Sequence, residues 1–202
     1  MFKKIKFNIQ KSRGFTIMET VVALAIFTVA ATYSLAIFVQ SNTVQKRTAN
    51  IQRALSDARY ALEVIAREVR MGQIDYSYYE TPLGNMPLAI LAIIDPDNNQ
   101  LIFRRAESEL GSERFVIQFY DTEGEQWLDI TPEDLNVIRL DFYITPAENP
   151  FLWQPDGGYA NNQQPMATII LETESLHSEG NIETEPRVTH FQTTITSRKY
   201  SR

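Results

Sequence analysis

The chain has 202 residues, no cysteine and a formal net charge of −6. Residues 1–14 hold five of the 19 lysines and arginines and none of the 25 acidic residues, which leaves 14 basic against 25 acidic beyond them. A nucleic-acid surface needs a basic face or stripe and none is present, so no direct contact with DNA or RNA is expected. Without cysteine there are no disulfide staples, but the roughly 130 residues beyond the first long helix are enough to bury a core.

Lys3, Lys4, Lys6, Lys11 and Arg13 form a basic leader that ends at Gly14. An apolar run of about 25 residues follows from Phe15 to Val39, roughly 37 Å as a helix against a hydrocarbon core about 30 Å thick. Glu19 sits just inside that run, and from Thr20 to Gln45 no residue carries a charge. The segment is therefore expected to be embedded in a membrane at some stage. A secretory signal accounts for the basic leader, but it is cut behind the apolar region and has no use for a carboxylate at its start. A signal anchor accounts for a basic flank facing the cytoplasm and a polar remainder outside. It leaves Gly14 and Glu19 unexplained, and a charge inside a bilayer costs about 2.5–3.5 kcal/mol, which calls for a partner.

Cutting the chain between Gly14 and Phe15 supplies one. Glycine lets the backbone enter a tight protease site in extended form, and the new α-amino group on Phe15 lies at the membrane depth of Glu19. Pairing between the amine of one chain and Glu19 of its neighbour satisfies both charges, and the helix macrodipole favours an anion in the first turns by about 0.3–1 kcal/mol. Gly14, then Phe15 and Thr16, then Glu19 opening an apolar helix, resembles the class III signal of type IV pilins and type II secretion pseudopilins. That resemblance implies processing at Gly14 and Phe15 by a membrane aspartyl prepilin peptidase, N-methylation of Phe15, and assembly through Phe15 and Glu19 with other pilins or pseudopilins. It also implies an inner-membrane assembly platform as partner, lipid around the helix before assembly, a cytoplasmic leader and an extracytoplasmic C-terminal domain.

The helical pattern continues past the apolar run. Ile51, Leu55, Ala58, Leu62, Ile65 and Val69 alternate at spacings of four and three and draw one apolar stripe, while Arg59, Glu63 and Arg67 follow at i, i+4 on another face. Gly72 is the expected stop, so one helix from Phe15 to Met71 would be roughly 85 Å long. The run Arg53, Asp57, Arg59, Ala61, Leu62, Glu63, Ile65, Arg67, Arg70 resembles the helix of J-type pseudopilins and PilW-like minor pilins. The expected divisions are a leader over 1–14, a membrane and assembly helix over 15–39, its amphipathic continuation over 40–71 and a β-rich domain over 72–202.

Beyond Gly72 the sequence breaks into short β-like runs. Strands are predicted at Leu88–Ile94 and Leu101–Arg105, joined by a hairpin turn in Asp95–Gln100, and then at Arg114–Tyr120, Trp127–Ile130, Val137–Ile144, Ala167–Glu172 and Val188–Ser197. In Val137–Ile144 the alternation sets Ile138, Leu140, Phe142 and Ile144 on an apolar face and Val137, Arg139, Asp141 and Tyr143 on a mixed one. The expected fold is α+β and pilin-like, a long N-terminal helix packed on antiparallel sheet. Two irregular segments, Gln73–Pro87 and Thr145–Pro165, carry aromatics; Tyr78, Phe151 and Trp153 are candidates for contact with other subunits, although such side chains also fold back to cap a core.

No catalytic constellation is visible, and no enzyme activity or cofactor is expected. His177 and His190 have no zinc spacing, and no nucleophile has a recognisable base. Asp95 and Asp97 imitate part of a calcium loop, but Gln100 and Ala106 stand where that loop needs glycine and glutamate, so a turn is the better account. The reading these features support is a minor pilin or pseudopilin near a filament tip. A major filament subunit and a signal-anchored extracytoplasmic binding domain are the alternatives.

Overall fold

The computed structural model describes residues 14–79, 83–84, 86–108, 114–122, 125–132, 135–159, 162–175 and 188–198. Two compact units divide the chain, Met1–Lys46 and Arg47–Arg202. Helix α1 (Ile17–Met71) contributes to both.

In the first unit α1 begins at a side-chain cap. The Thr16 hydroxyl accepts the Glu19 backbone N–H at 3.2 Å, satisfying one of the donors that a helix start leaves open. The apolar side chains that follow are exposed throughout, from Phe15 at 79% and Ile17 at 85% to Phe38 at 63%. Three polar residues among them look inward: the hydroxyls of Thr28, Thr32 and Ser34 donate to the carbonyls four residues back at 2.8, 2.8 and 2.9 Å. The segment thus presents no unsatisfied hydroxyl from these three residues to an apolar solvent.

In the second unit the helix has one dry face. Ala58, Leu62, Ile65 and Val69 of the expected stripe are buried and Ala61 and Ala66 widen it, while Ile51 and Leu55 are half-buried. Gly72 ends the helix for a steric reason. A Cβ there would stand 2.6 Å from the Ile94 carbonyl oxygen and 2.9 Å from that of Glu68, so backbone passes where a side chain would have to sit.

The strands form two antiparallel sheets rather than one. Strands β1 (Gln73–Ile74), β2 (Ile90–Ile94), β3 (Gln100–Glu107), β4 (Phe115–Asp121) and β5 (Gln126–Asp129) follow one another as a meander. The second sheet is β6 (Leu135–Thr145), β7 (Met166–Ser175) and β8 (Val188–Thr196) in that order. Leu91, Ile93, Phe103 and Ile117 from the first sheet and Phe142, Ile144, Ile169 and Leu171 from the second share one core with the helix stripe. The sheets are stitched where Leu88 and Phe142 exchange backbone bonds of 2.8 and 3.0 Å and where Arg105 Nε donates to the Val137 carbonyl at 2.7 Å. The Arg105 guanidinium also lies 3.5 Å from the centre of the Phe115 ring, and desolvation there lowers its pKa from the ordinary arginine value.

The β6 alternation departs from expectation at one place. Val137, expected on the mixed face, is fully buried, and Ile138, expected on the apolar face, is half-buried. A register shift between Val137 and Arg139 causes this. The bulge adds one residue and changes the phase, so Leu135 and Val137 point into the core before it and Leu140, Phe142 and Ile144 after it.

Residues 73–79, at the start of the first irregular segment, hold more regular structure than its composition suggests. They comprise β1 and a short 3-10 turn, Tyr76–Tyr78, capped by Asp75. The buried Asp75 carboxylate accepts from Ser77 N, Ser77 Oγ and Gln100 Nε2. The Tyr79 hydroxyl donates to the Ile90 carbonyl at 3.1 Å and accepts the Ala92 N–H at 2.6 Å. A phenol therefore continues along β2 the pairing that two-residue β1 begins.

Candidate assembly and contact sites

Gly14, Phe15, Thr16 and Glu19 lie together at the start of α1. A Cβ added to Gly14 would meet nothing within 4 Å, so this fold does not require glycine there; any requirement belongs to whatever acts on that peptide bond. Glu19 occupies the third position of the first turn, one side of a Thr-x-x-Glu capping pattern whose Thr16 bond is formed. Its carboxylate is exposed and has no hydrogen-bond donor or cation among the described residues, and the helix N-terminus favours its charge. The sequence motif alone gives Thr16 no task; the cap assigns one, and the Thr-x-x-Glu spacing is its signal.

Helix α1 is long and apolar enough to cross a membrane near the chain's N-terminus. Its exposed apolar run needs lipid or other helices to cover it.

The aromatic candidates separate by exposure. Phe151 packs half-buried against the core. Tyr78 is 41% exposed and meets Tyr79 edge to face, ring centres 5.3 Å apart. Trp153 is 63% exposed, bridges to Tyr159 and meets its ring edge to face at 5.3 Å. Gln154 N–H to Gly158 O at 2.8 Å closes this small hairpin, whose two glycines take φ of +84° and +126°. Leu152, beside it, is 52% exposed. The two irregular segments meet at their bases: Tyr76 OH donates to Pro146 O at 2.9 Å and Leu83 N–H to Ala147 O at 3.0 Å.

Asp95 closes the β2–β3 hairpin. Its Oδ1 accepts Asn99 N–H at 2.7 Å, its Oδ2 accepts Asn99 Nδ2 at 3.3 Å, and Asn98 takes the left-handed φ of +70°. Asp97 is exposed. Among the described residues no three His, Asp or Glu side chains gather to hold a cation. His190 Nδ1 lies 3.3 Å from Glu172 Oε1 on the outer face of the second sheet, where Arg139 also reaches Glu172 at 3.4 Å; hydrogen bonds and charge from Asp141, then Glu172, raise the Arg139 pKa. His177 lies outside the described residues.

Residues 9–35 match the model of the prokaryotic N-terminal methylation motif. The chain therefore carries a type IV pilin-like prepilin signal, whose span covers Gly14, Phe15, Thr16, Glu19 and most of the apolar run. No curated protein and no solved structure matches the chain.

Proposed function

We propose that this chain is a minor pilin or pseudopilin, cut between Gly14 and Phe15, methylated on Phe15, and assembled near the tip of a type IV pilus or type II secretion pseudopilus. The observation that carries the reading is the methylation motif over residues 9–35, leading into a helix whose apolar side chains are exposed up to Val39. An amine at Phe15 and the unpaired Glu19 carboxylate supply complementary charges at one membrane depth, so the pair forms between neighbouring subunits and offsets the bilayer penalty of each. The subunit sits in the cytoplasmic membrane before assembly, leader inside and residues 72–202 outside, and exchanges lipid for sister helices on assembly. Its work is structural rather than catalytic. J-type pseudopilins and PilW-like minor pilins are the subfamilies its helix most resembles. The exposed Trp153 and Leu152 on a closed hairpin favour a terminal position, where a protruding contact has room that repeated stacking denies.

Mass spectrometry of the N-terminus tests the processing step. In cells with a prepilin peptidase the mature chain is expected to begin at methylated Phe15, and Gly14→Val is expected to retain the leader, because a branched side chain enters where extended backbone must fit. An intact leader on the wild-type chain overturns the reading. Immunogold labelling confined to filament ends supports the minor role; uniform labelling along the shaft establishes a major subunit.

A further inference from the structure

The edges of the two sheets are treated unequally. β1 is two residues long and β5 four. The outer side of β6 is occupied by the Leu88 backbone and by Arg105. β8 is different: nine residues, each paired with β7 without a bulge, and no strand on its other side among the described residues. Val188–Thr196 contains no proline, lysine, arginine, aspartate or glutamate, so it lacks the devices that commonly blunt an exposed edge.

A second observation concerns the core beneath that edge. On β7 the inward side chains Ala167, Ile169, Leu171 and Thr173 are 0–2% exposed, whereas on β8 Thr189, Phe191 and Thr193 are only half-buried. Farther along β8 Ile195 is buried at 5%, so the core layer stops one strand short over residues 189–193. Beside the start of β8 a cavity of about 260 Å³ opens between Ile51, Ala54 and Leu55 of α1 and Thr173, Val188 and Thr189 of the sheet.

The structure assigns the outer edge of β8, unpaired among the described residues, as a strand-addition site for an extended segment of a different subunit of the filament, a partner that rests on the function proposed above. Unpaired backbone selects a polypeptide strand rather than a lipid or a sugar, and the half-covered core selects a strand with apolar side chains at alternate positions. A second copy of this chain does not fit. Antiparallel pairing of two β8 strands places a two-fold axis normal to the sheet and reverses the helix residues packed on it, which opposes anchoring in one membrane. Parallel pairing sets the core face of one copy beside the polar outer face of the other and covers neither groove.

Proline at single edge positions tests this. Successive amides of a strand point to opposite sides, so of Gln192→Pro and Thr193→Pro one removes a bond to β7 and the other removes only an outward N–H, which an edge strand tolerates. The outward variant is expected to melt like the wild-type full-length chain in detergent yet to fall at least about tenfold in purified filaments. Hydrogen exchange gives a readout independent of any variant: alternate β8 amides should exchange fast in the detergent-solubilised chain and at least about tenfold more slowly in filaments. Normal incorporation of the variant that melts like wild type, or equally fast exchange in both preparations, overturns the proposal. Absence of the wild-type chain from filaments instead overturns the filament reading itself.

Discussion

Residues 17–46 and 47–71 belong to one helix and solve opposite problems. In the first stretch Leu24, Phe27, Leu35 and Phe38 are 63–71% exposed; in the second Ala58, Ala61, Ile65 and Val69 are at 0%. Secondary structure is the same, so helix propensity does not distinguish them. What differs is where the apolar surface goes. The second stretch finds its cover within the chain, on two sheets. The first has none among the described residues, and its Thr28, Thr32 and Ser34 hydroxyls are turned onto its own carbonyls. Substitutions in the first stretch should therefore change assembly without changing folding, and those in the second should do the reverse.

The largest expected effect on assembly falls on the first stretch. On the pairing proposed above, Glu19→Ala would leave a neighbouring Phe15 amine unpaired at membrane depth, which at about 2.5–3.5 kcal/mol corresponds to roughly 10²-fold less incorporation into filaments. Processing and the melting temperature in detergent should remain those of wild type. Equal incorporation would show that the carboxylate has another purpose. Phe142→Ala makes the opposite case. The ring is fully buried between the helix and the second sheet, so truncation is expected to cost about 3–5 kcal/mol in urea unfolding while leaving leader cleavage intact. Loss of cleavage with unchanged stability would dissolve the distinction between the two stretches.

Much of this division could be read from residues alone, because it rests on local chemistry. Gly14, Phe15 and Glu19 carry their meaning in spacing, and Ala58, Leu62, Ile65 and Val69 show the helical period that their burial follows. Gly72 and the Asp95 hairpin were legible for the same reason. The bulge at Ile138 was not, since two adjacent apolar residues look the same whether the strand continues in phase or slips by one. Nor was the use of Tyr79, whose phenol replaces backbone along β2; composition marked the segment as irregular, and only the distances to Ile90 and Ala92 reveal its pairing. The division of the strands into two sheets depends on long-range contacts such as Leu88 with Phe142, which carry no short-range signal.

Gly72→Ala sharpens the comparison at the point where the helix hands over to the sheet. The added methyl would lie 2.6 Å from the Ile94 carbonyl oxygen and 2.7 Å from Ile93 Cγ2, both part of the sheet, so backbone must shift. A loss of about 1–3 kcal/mol is expected by urea unfolding. An unchanged midpoint would show that the helix end has slack that its contacts do not suggest.

The smallest effect is also the one that depends on pH. Burial raises the Tyr79 pKa well above its ordinary value, the Ala92 N–H bond opposing that rise and nearby Tyr78, Asp75 and Tyr76 adding to it. Because the folded value is the higher one, the stability this phenol contributes is fully present below the unfolded tyrosine value of about 10 and is lost as pH rises above it toward the folded value. Tyr79→Phe removes two hydrogen bonds to β2 and is expected to lower stability by about 1–1.5 kcal/mol at neutral pH. Above about pH 10 the variant has no phenol to ionise at this position, so the gap between it and wild type should narrow as pH rises. Buried Tyr76, also raised by desolvation, remains in both proteins and continues to weaken them in alkali. Urea midpoints measured for both at neutral pH and above pH 10 decide the matter: a gap that widens in alkali would mean that Tyr79 ionises more easily in the folded chain than in the unfolded one, and that its hydroxyl is not held against β2.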